Sequence, residues 1–215
     1  MLLPESVIYY FIPRLQEMLA HKIVQKSDHT ILKKFCGIDV SYKGTLAFTS
    51  AVIMDSTNFE IIEIAKSVTH IEFPYIPGLF VLREAKPILH TMRLLKCDFD
   101  VLLLDGHGTL HPRKCGLASF VGMLTNRPTI GIAKKLLCGQ IDGDNFIHID
   151  RKISGYMQKS VSKKPPIYIS IGNRINLNDS VNFVRKLTKE GYNVPEPLRL
   201  ADIYSKNNCK SFFNK

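Results

Sequence analysis

This sequence of 215 residues lacks the features that would place it in a membrane or build it around disulfides. Its apolar runs are strand-length and fall short of the roughly 20 residues that span a bilayer, so no membrane partner is expected. Its five cysteines, Cys36, Cys97, Cys115, Cys138 and Cys209, contain no C-x-x-C pair and form no even framework. They read as free thiols in a reducing cytoplasm, several of them small core residues. The opening MLLPESVIYYFIPRLQEMLAHKIV has no basic start and no small-residue cleavage site, and Glu5 and Pro13 interrupt it. An amphipathic helix over residues 12–24, within a helical segment of about 8–26, is expected there instead of a leader. There is no internal repeat and no low-complexity tract; the nearest thing to a linker is QKSVSKKPP, residues 158–166. Acid is the scarce charge: 19 Asp and Glu stand against 29 Lys and Arg, a formal +10 at pH 7. Such a field favours polyanions, nucleic acid above all, through phosphate neutralisation and counterion release, although a basic protein of unrelated function would carry it too.

Two carboxylates stand out against this background. The apolar run Val101–Leu104 is short enough for a buried strand and ends on Asp105 and a Gly-rich turn, DGHG. Open α/β sheets place their sites at such strand ends, while an isolated Asp-Gly more often just begins a turn. Earlier, in FCGIDVSYKG, the residues Phe35, Ile38, Val40 and Tyr42 suit a strand with Asp39 in its middle. A charge among apolar neighbours is costly unless paired or bound to a metal. Lys43-Gly44 then read as a hairpin turn, TLAFTSAVIMD as the second strand and FEIIEIAKSVTH as the third. An antiparallel meander running into α/β crossovers would bring Asp39 and Asp105 together at the sheet centre, where they repel each other unless a cation holds them. Oxygen-only ligands suit Mg²⁺ or Mn²⁺ better than zinc. Further on come the strand Thr129–Ala133 with Lys134-Lys135 behind it, the strand Ile167–Ile171, and a helix over residues 177–189 capped by Asn176 or Asn178.

The segments GIDVSYKG, FPYIPGLFVLRE, DGHGTLHPRKCGLAS, PTIGIAKKLLCG and PEPLRLAD resemble, in order and spacing, those of the endonuclease V family, from about Phe35 to Ser205. The resemblance implies an α/β, ribonuclease H-like fold with a mixed central sheet flanked by helices. It implies one domain over residues 1–215 with its catalytic core at about 35–205. The implied activity is that of a Mg²⁺-dependent nuclease, with Mn²⁺ able to substitute, acting as a monomer on nucleic acid that contains inosine. DNA is the favoured strand type and RNA a possible one, and the cut falls at the second phosphodiester on the 3′ side, leaving 3′-hydroxyl and 5′-phosphate ends.

Site residues follow by matching motifs. Asp39 and Asp105 would hold the metal; Glu84, in the L-R-E match, and Asp202, in PEPLRLAD, would complete the acidic set, and Lys134 would lie close to the phosphate. Read alone, Glu84 is more often a helical surface residue, and Asp202 is equally well an exposed residue pairing with Arg199. Tyr75, Ile76 and Pro77, in the stiff FPYIPG bend, inherit the role of a wedge that parts stacked bases, although such a sequence is more often only a turn. Backbone groups around Gly106, Gly108 and His111 would read the flipped hypoxanthine edge; His111 is equally well a structural histidine bonded to the turn. The chain departs from the family at His107, Phe120 and Asn173, where Gln, His and His are common, which puts the pocket rim and the strand preference in doubt. Two other readings stay open: an inosine-binding protein that does not cut, and a ribonuclease H-like nuclease for branched structures.

Overall fold

The computed structural model describes residues 5–27, 32–76, 78–159 and 164–213. The chain begins with helix α1 (Glu5–Ala20) and continues into three antiparallel strands, β1 (Lys34–Lys43), β2 (Leu46–Asp55) and β3 (Ile61–His70). Helix α2 (Phe80–Met92) leads to β4 (Val101–Asp105), and α3 (Leu117–Thr125) to β5 (Thr129–Ala133). A ribbon of β6 (Gln140–Ile141), β7 (Phe146–Ile149) and β8 (Lys152–Gln158) precedes β9 (Ile167–Asn173), α4 (Leu177–Leu187) and α5 (Glu196–Phe213). Among the described residues all nine strands join one mixed sheet in the order β3-β2-β1-β4-β5-β9-β8-β7-β6. The pairs β1/β4 and β4/β5 are parallel, as helical crossovers require, and the remaining pairs are antiparallel. This is the ribonuclease H-like layout.

Alternation along β1 and β4 fixes two cores. Cys36, Ile38, Leu102 and Leu104 face α2 and α3, while Phe35, Val101 and Leu103 face α4 and α5. Asp39 and Asp105 fall in the second set, one step beyond the last paired residues Ile38 and Leu104, so both carboxylates leave the sheet on the α5 side where β1 and β4 run side by side.

Several boundaries differ from those the sequence implied. Helix α1 starts earlier and stops at Ala20, running straight through Pro13. Residues beyond it are drawn to the end of β9, where the Val24 amide donates to Asn173 Oδ1 at 3.1 Å and the Val24 carbonyl accepts from Arg174 N–H at 2.6 Å. Those bonds replace the ones a longer helix would make. The β1–β2 turn is Gly44-Thr45, since Lys43 already pairs with Leu46, and Gly44 takes the left-handed φ of +58° that the turn needs. The third strand starts at Ile61 because Phe59 sits at φ +60° in the preceding turn. Asn176 is the α4 cap, its side chain accepting from the Asp179 amide at 2.8 Å. Of the linker-like stretch, residue 158 closes β8 and residues 160–163 lie outside the described set.

Candidate active site

The carboxylates sit at one rim of the sheet, with α2 on one side and α5 on the other. Asp39 and Glu84 are 8 % and 5 % exposed, burial that ionised carboxylates rarely tolerate without partners. Each of the four acids leans on its own donor. Ser205 Oγ donates to Asp39 Oδ2 at 2.9 Å, the Tyr42 hydroxyl donates to Glu84, Lys134 pairs with Asp105, and Lys206 pairs with Asp202 at 2.7 Å. Among the described residues no three such side chains are drawn around a common point as in a closed metal cage. Asp202 does not pair with Arg199, which instead grips Glu196 in a fork at 2.7 and 2.8 Å. It lies with Asp39, Asp105 and Lys134 around one open groove.

The charges feel one another. Burial, then the Asp105 carboxylate, pushes Asp39 up to about 6, with the Ser205 hydrogen bond opposing. Burial pushes Glu84 up to about 8 against the hydrogen bond from Tyr42, and the charges of Asp39 and Asp105 add to the rise. Burial works against the Lys134 ammonium, but Asp105 outweighs it and holds the group above its ordinary value.

The same residues form one wall of a cavity of about 510 Å³, the size of small-molecule sites. Asp39, Tyr42, Glu84, Asp105 and Lys134 stand at its polar end, and Ile38, Val81, Ile88 and Leu117 give it an apolar floor. Tyr75 reaches its edge with 64 % of its surface exposed, held edge-to-face on Phe80 with ring centroids 5.7 Å apart. Ile76 is half-buried, and Pro77 lies outside the described residues. Gly78, at φ +76°, ends the tip, and its carbonyl accepts from Arg113 Nη2 at 2.5 Å. Arg113 Nε donates to Gln16 Oε1 at 2.8 Å, and Gln16 Nε2 donates to the Cys115 carbonyl at 2.8 Å, so helix α1 braces the tip through a glutamine only 1 % exposed.

His111 lines the cavity and is also structural. Its Nδ1 accepts from the Arg113 amide at 3.2 Å; burial, then Arg113, pushes it down to about 4, so the ring is neutral at pH 7. Gly108 corrects the sequence reading. It packs against β9, where an added Cβ would lie 1.9 Å from the Ile171 carbonyl oxygen; its N–H goes to Ser170 Oγ at 2.8 Å and its carbonyl accepts from Gly116. Its N–H is not left for a base, and Gly108 does not line the cavity. Gly106 does line it, although its N–H goes to the Leu104 and Ile132 carbonyls. Of the three departures only His107 reaches the cavity, its Nε2 2.9 Å from the Lys135 carbonyl oxygen. Phe120 packs beside the α2 core, and Asn173, 2 % exposed, ties the Gly122 carbonyl to residue 24.

A comparison with known families places this geometry. Residues 17–203 match the model of endonuclease V. The chain belongs to the endonuclease V family. It is 40 % identical over 195 residues to endonuclease V of Pyrococcus abyssi, covering 91 % of this chain and 90 % of that protein. It is 36 % identical over 208 residues to endonuclease V of Thermofilum pendens, covering 94 % and 90 %. A crystal structure of Ciona intestinalis endonuclease V, in complex with a 24mer DNA containing an inosine followed by a ribo-adenosine, superposes with a TM-score of 0.86 at 26 % identity, covering 97 % of this chain and 100 % of that one. Tyr42, Ser205, Gln16 and Arg113 hold the candidate site's residues in place, and motif reading missed them. Tyr42 and Ser205 each lie three positions from a named carboxylate. Gln16 meets Cys115 across 99 residues of sequence, and nothing local announces it.

Raised carboxyl pKa values have a consequence for metal loading. If a cation binds among these carboxylates, it competes with the protons that burial holds on Glu84 and Asp39, so metal binding would release protons and tighten as pH rises. Half-maximal Mg²⁺ for cleavage is expected to fall by up to about tenfold per pH unit between pH 6 and about 8, then level off. Without metal the sign reverses for stability. The unfolded chain sheds these protons first, so the folded state loses stability as pH rises from the ordinary carboxylate range through about 8. A metal requirement that is flat across this range would show that Glu84 takes no part.

Proposed function

We propose that this protein is a divalent-metal-dependent endonuclease that recognises inosine in nucleic acid and hydrolyses the second phosphodiester on its 3′ side. Mg²⁺ is the natural ion and Mn²⁺ a substitute, DNA the favoured strand and RNA a possible one. The observation that carries this reading is the placement of Asp39, Glu84, Asp105 and Lys134 at the polar end of a base-sized cavity, with Asp202 in the adjoining groove. The donor set is all oxygen, and burial, with added repulsion between the acids, raises Asp39 and Glu84; a hard divalent cation would relieve both. Asp39 and Asp105 would hold the ion, which when bound supplies positive charge to the phosphate and to the departing 3′-oxygen. Lys134, beside Asp105, stabilises the charge that grows on the phosphoryl oxygens. Glu84, held by the Tyr42 hydroxyl, orients the attacking water, and Asp202 supports the acidic set from α5. The flipped base enters the apolar cavity, where His107 and His111 stand on the wall.

Cleavage of an inosine strand, its guanosine twin and a branched duplex, each with Mg²⁺ and with EDTA, tests this. Metal-dependent cutting confined to the inosine strand is expected. Cutting of the branched duplex alone, or tight inosine binding without cutting, would overturn it. Tyr75 stands exposed at the cavity edge as a wedge would. Tyr75→Ala is therefore expected to weaken cutting of an inosine duplex by on the order of tenfold or more, because unstacking costs a few kcal/mol, and to affect a single strand much less. Equal losses on both substrates would leave Tyr75 a packing residue.

A further inference from the structure

Two concavities meet at the carboxylates. One is the base-sized cavity; the other is an open groove of about 580 Å³ that shares Asp39, Tyr42, Asp105 and Lys134 with it and runs on along α5. The groove's far wall is a stripe of Asp202, Lys206, Cys209 and Lys210. Offsets of four, seven and eight residues from Asp202 put these on one face of the helix. The stripe spans about 12 Å of helix axis, against roughly 3.4 Å of rise per nucleotide along a strand. Lys206 is paired with Asp202 and mutes its charge, while no acidic partner of Lys210 is found among the described residues. The match to the family model stops at residue 203, so both lysines belong to a part of α5 outside the shared pattern.

The geometry points to this groove as the seat of the strand beyond the cut: the 3′ segment, whose first phosphate becomes the new 5′ end, runs along α5 with its backbone against Lys206 and Lys210. This rests on the reading of the site given above. If the base occupies the cavity and the reacting phosphate lies at the carboxylates, a strand leaving the base past the cut has the α5 groove before it. A phosphate backbone approaching three carboxylates also needs compensating positive charge, and the two lysines supply it on that side.

Single-stranded inosine oligonucleotides, identical on the 5′ side and either extended or ending just past the cut on the 3′ side, test the assignment. Their affinities are measured by anisotropy in EDTA at several salt concentrations. Lys210→Met is expected to weaken binding of the extended strand several-fold and to lower its salt slope by about 0.7. Lys210→Glu should weaken it further. The truncated strand should bind all three proteins alike. Cys209 gives a readout that needs no mutation, since it lies half-buried between the two lysines. The extended strand should protect it from maleimide while the truncated one does not, with exposed Cys97 as the internal reference. Equal losses on both strands, unchanged binding of the extended strand or unprotected Cys209 would each overturn the groove assignment. These outcomes are read separately from the basic one: a wild-type protein that fails to cut the inosine strand refutes the functional reading itself.

Discussion

Asp105→Asn is expected to abolish cleavage while leaving inosine-strand binding close to that of the wild type. The substitution keeps the size of the side chain and its place at the end of β4, where the neighbouring residues Leu103 and Leu104 are fully buried and hold the strand end. It removes one negative charge from between Asp39 and Lys134. If Asp105 helps hold the ion, the loss is several kcal/mol of transition-state stabilisation, a fall in turnover of about a thousandfold or more. Affinity comes mainly from phosphate contacts and from base burial and should change little. Single-turnover rates and anisotropy on the same oligonucleotide separate the two quantities. Near-wild-type turnover at ample Mg²⁺ would remove Asp105 from the mechanism.

The second large effect is expected at Asp202. Its carboxylate raises the pKa of Asp39 and shares the groove with Asp105, but it accepts a hydrogen bond from Lys206, one helical turn on. An exposed pair of that kind contributes at most about 1 kcal/mol to stability. If the pairing were its whole role, Asp202→Ala would change thermal stability slightly and turnover not at all. With a place in the acidic set, Asp202→Ala lowers turnover by on the order of a hundredfold and raises the Mg²⁺ or Mn²⁺ needed, since outer ligands and their supports commonly change metal affinity by 10- to 100-fold. A metal titration of the variant distinguishes the outcomes.

How far the sequence could be read followed from how local each signal was. Strands β1, β2, β4 and β5 announced themselves because burial on both faces writes largely apolar runs, and the two aspartates stood out as charges, Asp39 in the middle of β1 and Asp105 at the end of β4. The ribbon β6–β8 stayed hidden. Its strands are short and mostly half-buried or exposed, with Ile147 and Gly155 as their buried positions, so no period of two builds up. The end of α1 was misjudged because it is set by Asn173, which is distant in sequence. In the site, the carboxylates were legible and most of their partners were not. Gly108 was assigned to base reading because a Gly-rich turn beside a site invites it, but its missing side chain makes room for β9. The proposed wedge was legible only as a motif, and the Arg113–Gln16 brace behind Gly78 needed the folded chain.

Gly37 sits in β1 beneath the first turn of α5, and a Cβ there would lie 2.3 Å from the carbonyl carbon of Pro197 and 2.4 Å from the amide nitrogen of Leu198. Strand and helix therefore meet bare, with no side chain as a spacer. Since α5 is a single rod from Glu196 to Phe213, the seating depth of Asp202 and Ser205 against Asp39 is machined at this contact, more than one turn away. Even one methyl group at position 37 would act as a shim, lifting the rod off its bed and detuning the alignment of the acids.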